Sequence, residues 1–299
     1  MLALLLAWPI GLGVWAQGRI AHTDALSAAP GTPGTTYLLV GSDSREGTKR
    51  YGNFPGQRSD TMMLLHVPTH GTPSLVSLPR DSYVAIPGHG ENKLNAAFAL
   101  GGAPLLVQTV EKLSGLTVDH YIEVGFGGVK GIVDALGGVE LCYDRNVSDP
   151  KSKLTWVAGC HHANGETSLA FSRMRLQDPE GDIGRTKRQQ QLISAITHAA
   201  GTRATFVSPG RQVALTRAGT DAIVVDRATG IVDLGRLALA FREASGPKGF
   251  HGTPPIKSTS YRPGGVGSAV LLDPNALPGF WASVANGSIQ PQGIKGVGA

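Results

Sequence analysis

The chain has 299 residues, 41% of them hydrophobic, with 27 basic and 22 acidic side chains, a formal charge of +5 and an isoelectric point near 9.3. That length supports a sizeable core in one large domain or two small ones, and the positive balance favours anionic partners: nucleic acid, an anionic membrane surface or a phosphorylated substrate. The absence of a Lys/Arg block and an aromatic content of 6% exclude a nucleic-acid platform built on base stacking.

Residues 1–16, MLALLLAWPIGLGVWA, are apolar and uncharged. They fall short of the roughly 20 residues that a spanning helix needs, and read as an N-terminal membrane anchor or a signal segment. Either places the remainder outside the cytoplasm. Residues 17–35 are rich in Gly, Pro, Ala and Thr and read as a linker. TYLLVG (36–41), TMMLLHV (61–67) and SLVSL (74–78) are short apolar runs bounded by turn residues, hence buried strands. Residues 93–114 have helical spacing broken by Gly101 and Gly102, with Asn95 as the expected N-cap. HYIEV (120–124) is a strand, 126–136 a helix stopped by Gly137 and Gly138, and VELCY (139–143) a further strand. Residues 144–165 read as a loop, 166–173 and 188–200 as helices. Beyond 201 the pattern weakens, with a helix over 234–244, a strand over 267–273, a last short helix and a frayed tail over 286–299. Alternating strands and helices predict one α/β domain over 36–285.

Cys142 and Cys160 fit one disulfide in an oxidising compartment or two separate buried thiols. A bridge would pin the 144–165 loop to a strand and contribute about 3 kcal/mol. No Cys or His grouping has the spacing of a zinc site.

Each of the first three strands meets a Ser/Arg/Asp grouping at one end: SDSREG, GQRSD and PRD. Polar clusters beside strand ends are where open α/β sheets bind ligands. Asp43 and Asp60 are candidate Mg²⁺ ligands, since that ion takes one or two carboxylates plus substrate phosphates; turn capping is the plainer alternative. Arg45, Arg58 and Arg80 could neutralise a transferring phosphoryl group or form local surface ion pairs. The stretch 171–191, FSRMRLQDPEGDIGRTKRQQQ, holds Arg173, Arg175, Arg185 and Arg188 with Lys187, Asp178 and Asp182. Two arginine forks, a Gly-interrupted turn and a third arginine suggest a cradle for a polyphosphate, against the alternative of a solvated charged loop. No GxxxxGK[ST] and no GxSxG context is present, which argues against a P-loop site or a serine hydrolase.

LLVGSDSR (38–45), GQRSDTMML (56–64), SLPRDSYVAIPG (77–88), KLNAAFALGG (93–102), DHYIEV (119–124), VDALGGVEL (133–141) and LAFSRMR with GDIGRTKRQQ (169–190) together resemble the LytR–CpsA–Psr family of extracytoplasmic cell-wall proteins. The resemblance runs over about 36–200 and is loose beyond 201. It implies a three-layer α-β-α domain with a central mixed sheet and an apolar pocket for a polyprenyl chain. It implies transfer of a glycopolymer from a polyprenyl-pyrophosphate carrier to peptidoglycan, forming a phosphodiester with Mg²⁺. By motif it puts metal-linked aspartates on Asp43 and Asp60, phosphate-binding arginines on Arg58, Arg80, Arg173, Arg175 and Arg185, and polar partners on Asp182 and Gln189. Asp182 is the expected base for the acceptor hydroxyl, with Asp43 next in line. The cysteine pair resembles the actinobacterial branch, where the polymer is arabinogalactan. The expected location is the cell membrane, with a single pass and the catalytic domain outside. Two other activities use the same cradle: hydrolysis of polyprenyl pyrophosphate, and binding of the lipid carrier without turnover.

Overall fold

Apolar runs too short for helices and bounded by turn residues assemble here into a seven-stranded sheet. A computed structural model describes residues 2–42, 59–174, 178 and 181–291; within these, the side chains of 2–6, 59, 60, 126, 181–183, 186 and 206 are outside the description. In chain order the elements begin with α1 (Leu2–Gln17), β1 (Ala21–Thr23), β2 (Thr35–Ser42), β3 (Ser59–Val67), β4 (Ser74–Leu78), β5 (Tyr83–Ile86), β6 (Gly90–Lys93) and α2 (Leu94–Ser114). Next come β7 (His120–Gly125), α3 (Phe126–Leu136), β8 (Val139–Tyr143), β9 (Val147–Asp149), β10 (Leu154–Trp156), β11 (Gly159–Ala163), α4 (Gly165–Arg173) and α5 (Gly181–Ala200). The last are α6 (Arg203–Phe206), α7 (Pro209–Ala222), β12 (Ile223–Asp226), α8 (Ile231–Ser245), β13 (Phe250–Gly252), β14 (Ile256–Tyr261), β15 (Ala269–Leu272) and α9 (Leu277–Ala285).

The chain divides into two compact units: Ile20–Val124 with Val224–Ala299, and Met1–Arg19 with Gly125–Ile223. The first holds the sheet, in the order β1-β12-β7-β2-β3-β4-β13. The ladders β2–β3 and β3–β4 are antiparallel, while β1–β12 and β4–β13 are parallel, so the sheet is mixed. Side chains alternate faces along a strand. Leu38, Val40, Met62, Leu64, Val76 and Leu78 therefore share one face, buried against Leu94, Phe98, Leu106 and Val110 of α2 and Trp281 and Val284 of α9. The other face, carrying Tyr37, lies toward α8, whose Asp233 and Arg236 act on the Tyr37 phenol. That is the expected three-layer order. Helix α2 bends at Gly102, whose φ of 64° only a residue without Cβ adopts easily, and Pro104 opens its second half.

The second unit packs Val133, Leu136, Leu141, Trp156, Phe171 and Leu192 into its own core. Cys142 and Cys160 face each other across the antiparallel β8–β11 pair and are joined in a disulfide. The bridge thus ties strand to strand, where a loop-to-strand tie was expected, because 144–165 contains β9, β10 and β11.

Other expectations are also corrected. Residues 17–35 contain β1, which gains a backbone partner in β12; three residues are too few for a periodic signal. Asn95 is inside α2, and Lys93 is at the N-cap without a side-chain cap bond. The first amides of α2 have other acceptors: Leu94 N–H donates to Ser82 O (2.8 Å) and Asn95 N–H to Arg80 O (3.0 Å). The part of the expected frayed tail that is described is tied in, since Thr72 N–H donates to Gly287 O at 2.9 Å. Among the described residues no helix is long and apolar enough to cross a membrane. Helix α1 packs on α7, with Trp8 Nε1 donating to Gln212 Oε1.

Helix α5 starts at Gly181, seven residues before the expected start at 188, so from Gly181 onward the presumed Gly-interrupted turn is helical. Its glycine has a packing cause: a Cβ on Gly184 would stand 1.7 Å from Asp178 Oδ2. Asp178 in turn meets Arg188, and the two side chains are only 3% and 4% exposed. The Arg188 guanidinium also donates to the carbonyls of Phe171 and Met174, and lies 5.7 Å from the Tyr143 ring centroid. One cation therefore holds the C-terminal end of α4 against α5. Removing one partner of such a buried pair costs about 3–5 kcal/mol. Arg188→Met should lose that much in urea unfolding, and Asp178→Asn combined with it should cost less than the sum of the single changes. A loss of Arg188→Met below about 1 kcal/mol, the level of an exposed pair, would remove this assignment.

His66, on β3, is fully buried. Its Nε2–H donates to Ala285 O (3.3 Å), which leaves Nδ1 to accept from the Thr36 hydroxyl (3.0 Å). Burial lowers its pKa below the ordinary 6.5, and does the same to His251. The unfolded chain then binds more protons between the lowered folded value and 6.5, so stability is full above 6.5 and falls as pH drops through that window. Thermal melts from pH 8 to pH 5 should show this fall, and His66→Gln should make it shallower; an unchanged slope in that variant would count against the buried neutral histidine.

Candidate functional site

The site is set by which strand ends coincide. Asp119 N–H donates to Thr36 O (3.0 Å) and Thr36 N–H to Asp119 Oδ2 (2.8 Å), so neighbouring β2 and β7 both begin at this contact and run the same way. Strand β3 returns antiparallel, with Ser42 opposite Ser59, and β4 follows with Leu78 opposite Met62. The end of β2, the start of β3, the end of β4 and the end of β7 therefore meet at one edge of the sheet. Extending the β3–β4 register by two residues brings position 80 level with position 60. Asp60 is thus placed by its backbone at this edge, while its side chain is outside the description. Asp43, Arg45 and Arg58 lie outside the described residues. Asp43 is bonded to Ser42, whose buried Oγ has no partner among the described residues.

Arg80 and Asp81 sit in a turn with a rigid main chain. Ser82 N–H donates to Pro79 O (3.0 Å), Val270 N–H to Asp81 O (2.8 Å), and the first amides of α2 donate to Arg80 and Ser82 as described. Asp81 stands between the Arg80 Nε (3.6 Å) and the Lys93 Nζ (3.2 Å). These groups are a fifth to a third exposed, so the pairing contributes little stability, and its effect is to hold two cations beside one turn.

Glu123 was missed by the sequence reading. It is buried near the end of β7 and accepts a hydrogen bond from the Tyr121 hydroxyl (3.0 Å). Burial first, and the Glu123 charge second, push the Tyr121 phenol well above its ordinary value of 10. The available signal was a single acidic residue inside an otherwise apolar strand, HYIEV.

The remaining expected residues belong to the other unit. Arg173 is the last residue of α4 and is exposed. Arg175 lies outside the described residues. Positions 182, 185 and 189 are spaced i, i+3, i+7 on α5 and fall on one helical face. Arg185 and Gln189 are half-buried there, and the Asp182 side chain is outside the description. Arg188, which shares the 171–191 stretch with the presumed cradle arginines, is taken up structurally, as shown above. The structure thus brings Asp60 and Arg80 to one sheet edge, and Asp182, Arg185 and Gln189 to one helix face, each within its own unit.

Among the described residues no three His, Cys, Asp or Glu side chains converge as a metal cluster. By residue type, Ser42 with its orphaned hydroxyl, its sequence neighbour Asp43, and Asp60 offer oxygen donors. That donor chemistry fits a hard cation such as Mg²⁺ and does not fit zinc.

Comparison with known proteins gives consistent results. Over 239 residues the chain is 41% identical to the "Probable cell wall biosynthesis protein LcpB" of Corynebacterium glutamicum, covering 77% of this chain and 58% of that protein. It is 39% identical over 175 residues to the polyisoprenyl-teichoic acid–peptidoglycan teichoic acid transferase TagU of Bacillus cereus, covering 58% of this chain and 55% of TagU. The chain thus spans somewhat more than half the length of these relatives. In fold it matches the LytR-Csp2A-Psr enzyme from Actinomyces oris with a TM-score of 0.68 at 22% identity, over 92% of this chain and 99% of that one. Residues 17–214 match the LytR_cpsA_psr family, and on that match this chain belongs to it.

Proposed function

We propose that the chain transfers a cell-wall glycopolymer from a polyprenyl-pyrophosphate carrier to peptidoglycan. The observation that carries this reading is the convergence of Asp60, Arg80 and the orphaned Ser42 hydroxyl at one sheet edge in a chain of this family. The relative TagU is named for moving a polyisoprenyl-linked polymer to peptidoglycan. In the reaction an acceptor sugar hydroxyl attacks the sugar-linked phosphorus, the bridging P–O bond breaks, and polyprenyl phosphate leaves with its electron pair. A phosphodiester remains. Such a transfer needs charge neutralisation more than covalent help.

The residues divide that work. Arg58, Arg80, Arg173, Arg175 and Arg185 bind the pyrophosphate oxygens, and Gln189 orients them. Asp182 takes the acceptor proton, with Asp43 as the alternative if it does not hold the metal. Asp43 and Asp60 would hold Mg²⁺, which when bound supplies further neutralisation of phosphate charge. An apolar pocket for the lipid belongs to the same reading. The disulfide supports an oxidising, extracytoplasmic compartment, and the uncharged α1 supports attachment to the membrane. The polymer proposed is arabinogalactan, supported by the cysteine pair and by the longer match to the corynebacterial relative, 77% of the chain against 58% for TagU.

The test is a transfer assay with labelled polyprenyl-pyrophosphate glycan, peptidoglycan fragments and Mg²⁺, with and without EDTA. Metal-dependent linkage of label to peptidoglycan is expected. Arg173→Ala and Asp60→Asn should each lower the rate by about 10²–10³-fold while the protein melts at its usual temperature. Free glycan phosphate without linkage would turn the reading to a hydrolase; bound but unchanged lipid would turn it to a carrier-binding protein.

A further inference from the structure

A cavity of about 480 Å³ opens beside the edge strand β13, within the sheet-bearing unit. Phe250 of β13 and Phe280 of α9 form one wall, with ring centroids 5.9 Å apart and planes at 65°. Gly252 leaves room for this arrangement: a Cβ there would stand 2.7 Å from Phe250 Cζ. Thr253, Ser283 and Gln290 supply two hydroxyls and an amide. The Ser283 hydroxyl proton is used on Phe280 O (2.7 Å), which leaves its oxygen as an acceptor.

Among the described residues none that lines the cavity carries a charge, in a chain with 27 basic and 22 acidic side chains. A phosphate, a carboxylate or an ammonium group would find no counter-charge among them. A purely apolar ligand would displace water from the Thr253 and Gln290 groups and from the acceptor side of Ser283 without replacing it, at a cost for each. What fits both walls is a neutral ligand with an apolar C–H face and a rim of hydroxyl and amide groups, which is the chemistry of a pyranose sugar. The volume falls in the usual range for small-ligand sites. The Phe250 wall of the cavity stands away from the strand-end site. Phe250 pairs with Ser74, the first residue of β4, whereas Arg80 follows the last; the two are roughly 13 Å or more apart along the strand.

We propose that the Phe250–Phe280 cavity is a subsite for neutral sugar rings of a glycan strand. Its assignment to the acceptor strand rests on the transfer reading above; its ability to bind sugar does not. A subsite remote from the reacting groups would hold a polymer while another of its residues is presented for reaction.

The experiment titrates tri-N-acetylchitotriose into the full chain by calorimetry. Saturable binding is expected, about 5- to 100-fold weaker in the double variant Thr253→Ala/Gln290→Ala, whose exposed side chains should leave the melting temperature unchanged. Phe280→Ala should weaken it as well, but the double variant decides, since Phe280 also packs on Trp281. No binding at 10 mM sugar, equal binding by the double variant, or equal binding of a neutral tripeptide overturns the proposal. Sugar binding without transfer by the intact protein would defeat the transferase reading and leave the subsite standing; transfer without sugar binding would do the reverse.

Discussion

The antiparallel register of β2 against β3 decides where everything else lies. Its pairs run from Thr35 opposite Val67 to Ser42 opposite Ser59, with one irregularity at Gly41/Ser42. A slip of one residue would exchange the two faces of the strand, sending Leu38 and Val40 away from α2 and the Tyr37 side into the core. With one face sealed by α2 and α9, no shift by an odd number of residues buries the apolar set. The same register leaves the polar ends of β2, β3 and β4 at one edge. Burial of the strand interiors thus fixes the location of the candidate site, and no interaction within the site has to do so.

Helix α2 converts that edge into a fixed surface. Its first amides donate to Arg80 O and Ser82 O, so the turn carrying Arg80 and Asp81 is held by helix N–H groups that would otherwise need a cap. On the far side of the turn β15 adds Val270 N–H to Asp81 O. A turn with its carbonyls bound on both sides moves little, and an arginine at its tip keeps its position. The other unit reaches the same result differently. Arg188 gathers the Phe171 and Met174 carbonyls and the Asp178 carboxylate, and so fixes the end of α4 against α5. In both cases an apparent functional charge or cap turns out to brace a neighbouring candidate residue.

These cases explain what the sequence allowed and what it hid. The three central strands, the α2 kink, the α3 stop at Gly137 and the cysteine bridge were legible, because hydrophobic periodicity and glycine conformation are local signals. Strands β1, β9, β10 and β11 were hidden, since three to five residues carry too little pattern and gain their order from a partner. The start of α5 was misplaced because Gly181 and Gly184 read as breakers; Gly184 is there to admit Asp178. Arg188 reads like its neighbours Arg173 and Arg185 in sequence, and only burial separates its role from theirs.

Glu123 carries the argument one step further. A carboxylate on a buried strand is normally paired or absent, since desolvation penalises it heavily. Here the sheet keeps one, bonded to the hydroxyl of a fully buried tyrosine, two residues before the end of β7. Close by in the topology, at the end of the adjacent β2, the Ser42 hydroxyl is buried without a partner among the described residues. Unsatisfied hydroxyls occur elsewhere in the chain, at Ser152 and Ser168, so an orphaned oxygen alone does not mark a site. What distinguishes this edge is that the orphan stands with a buried carboxyl and with Asp60 at the ends of three neighbouring strands. A core designed for stability alone would place apolar residues at such positions. Their retention beside a braced arginine is what a site for a charged, multi-oxygen ligand requires.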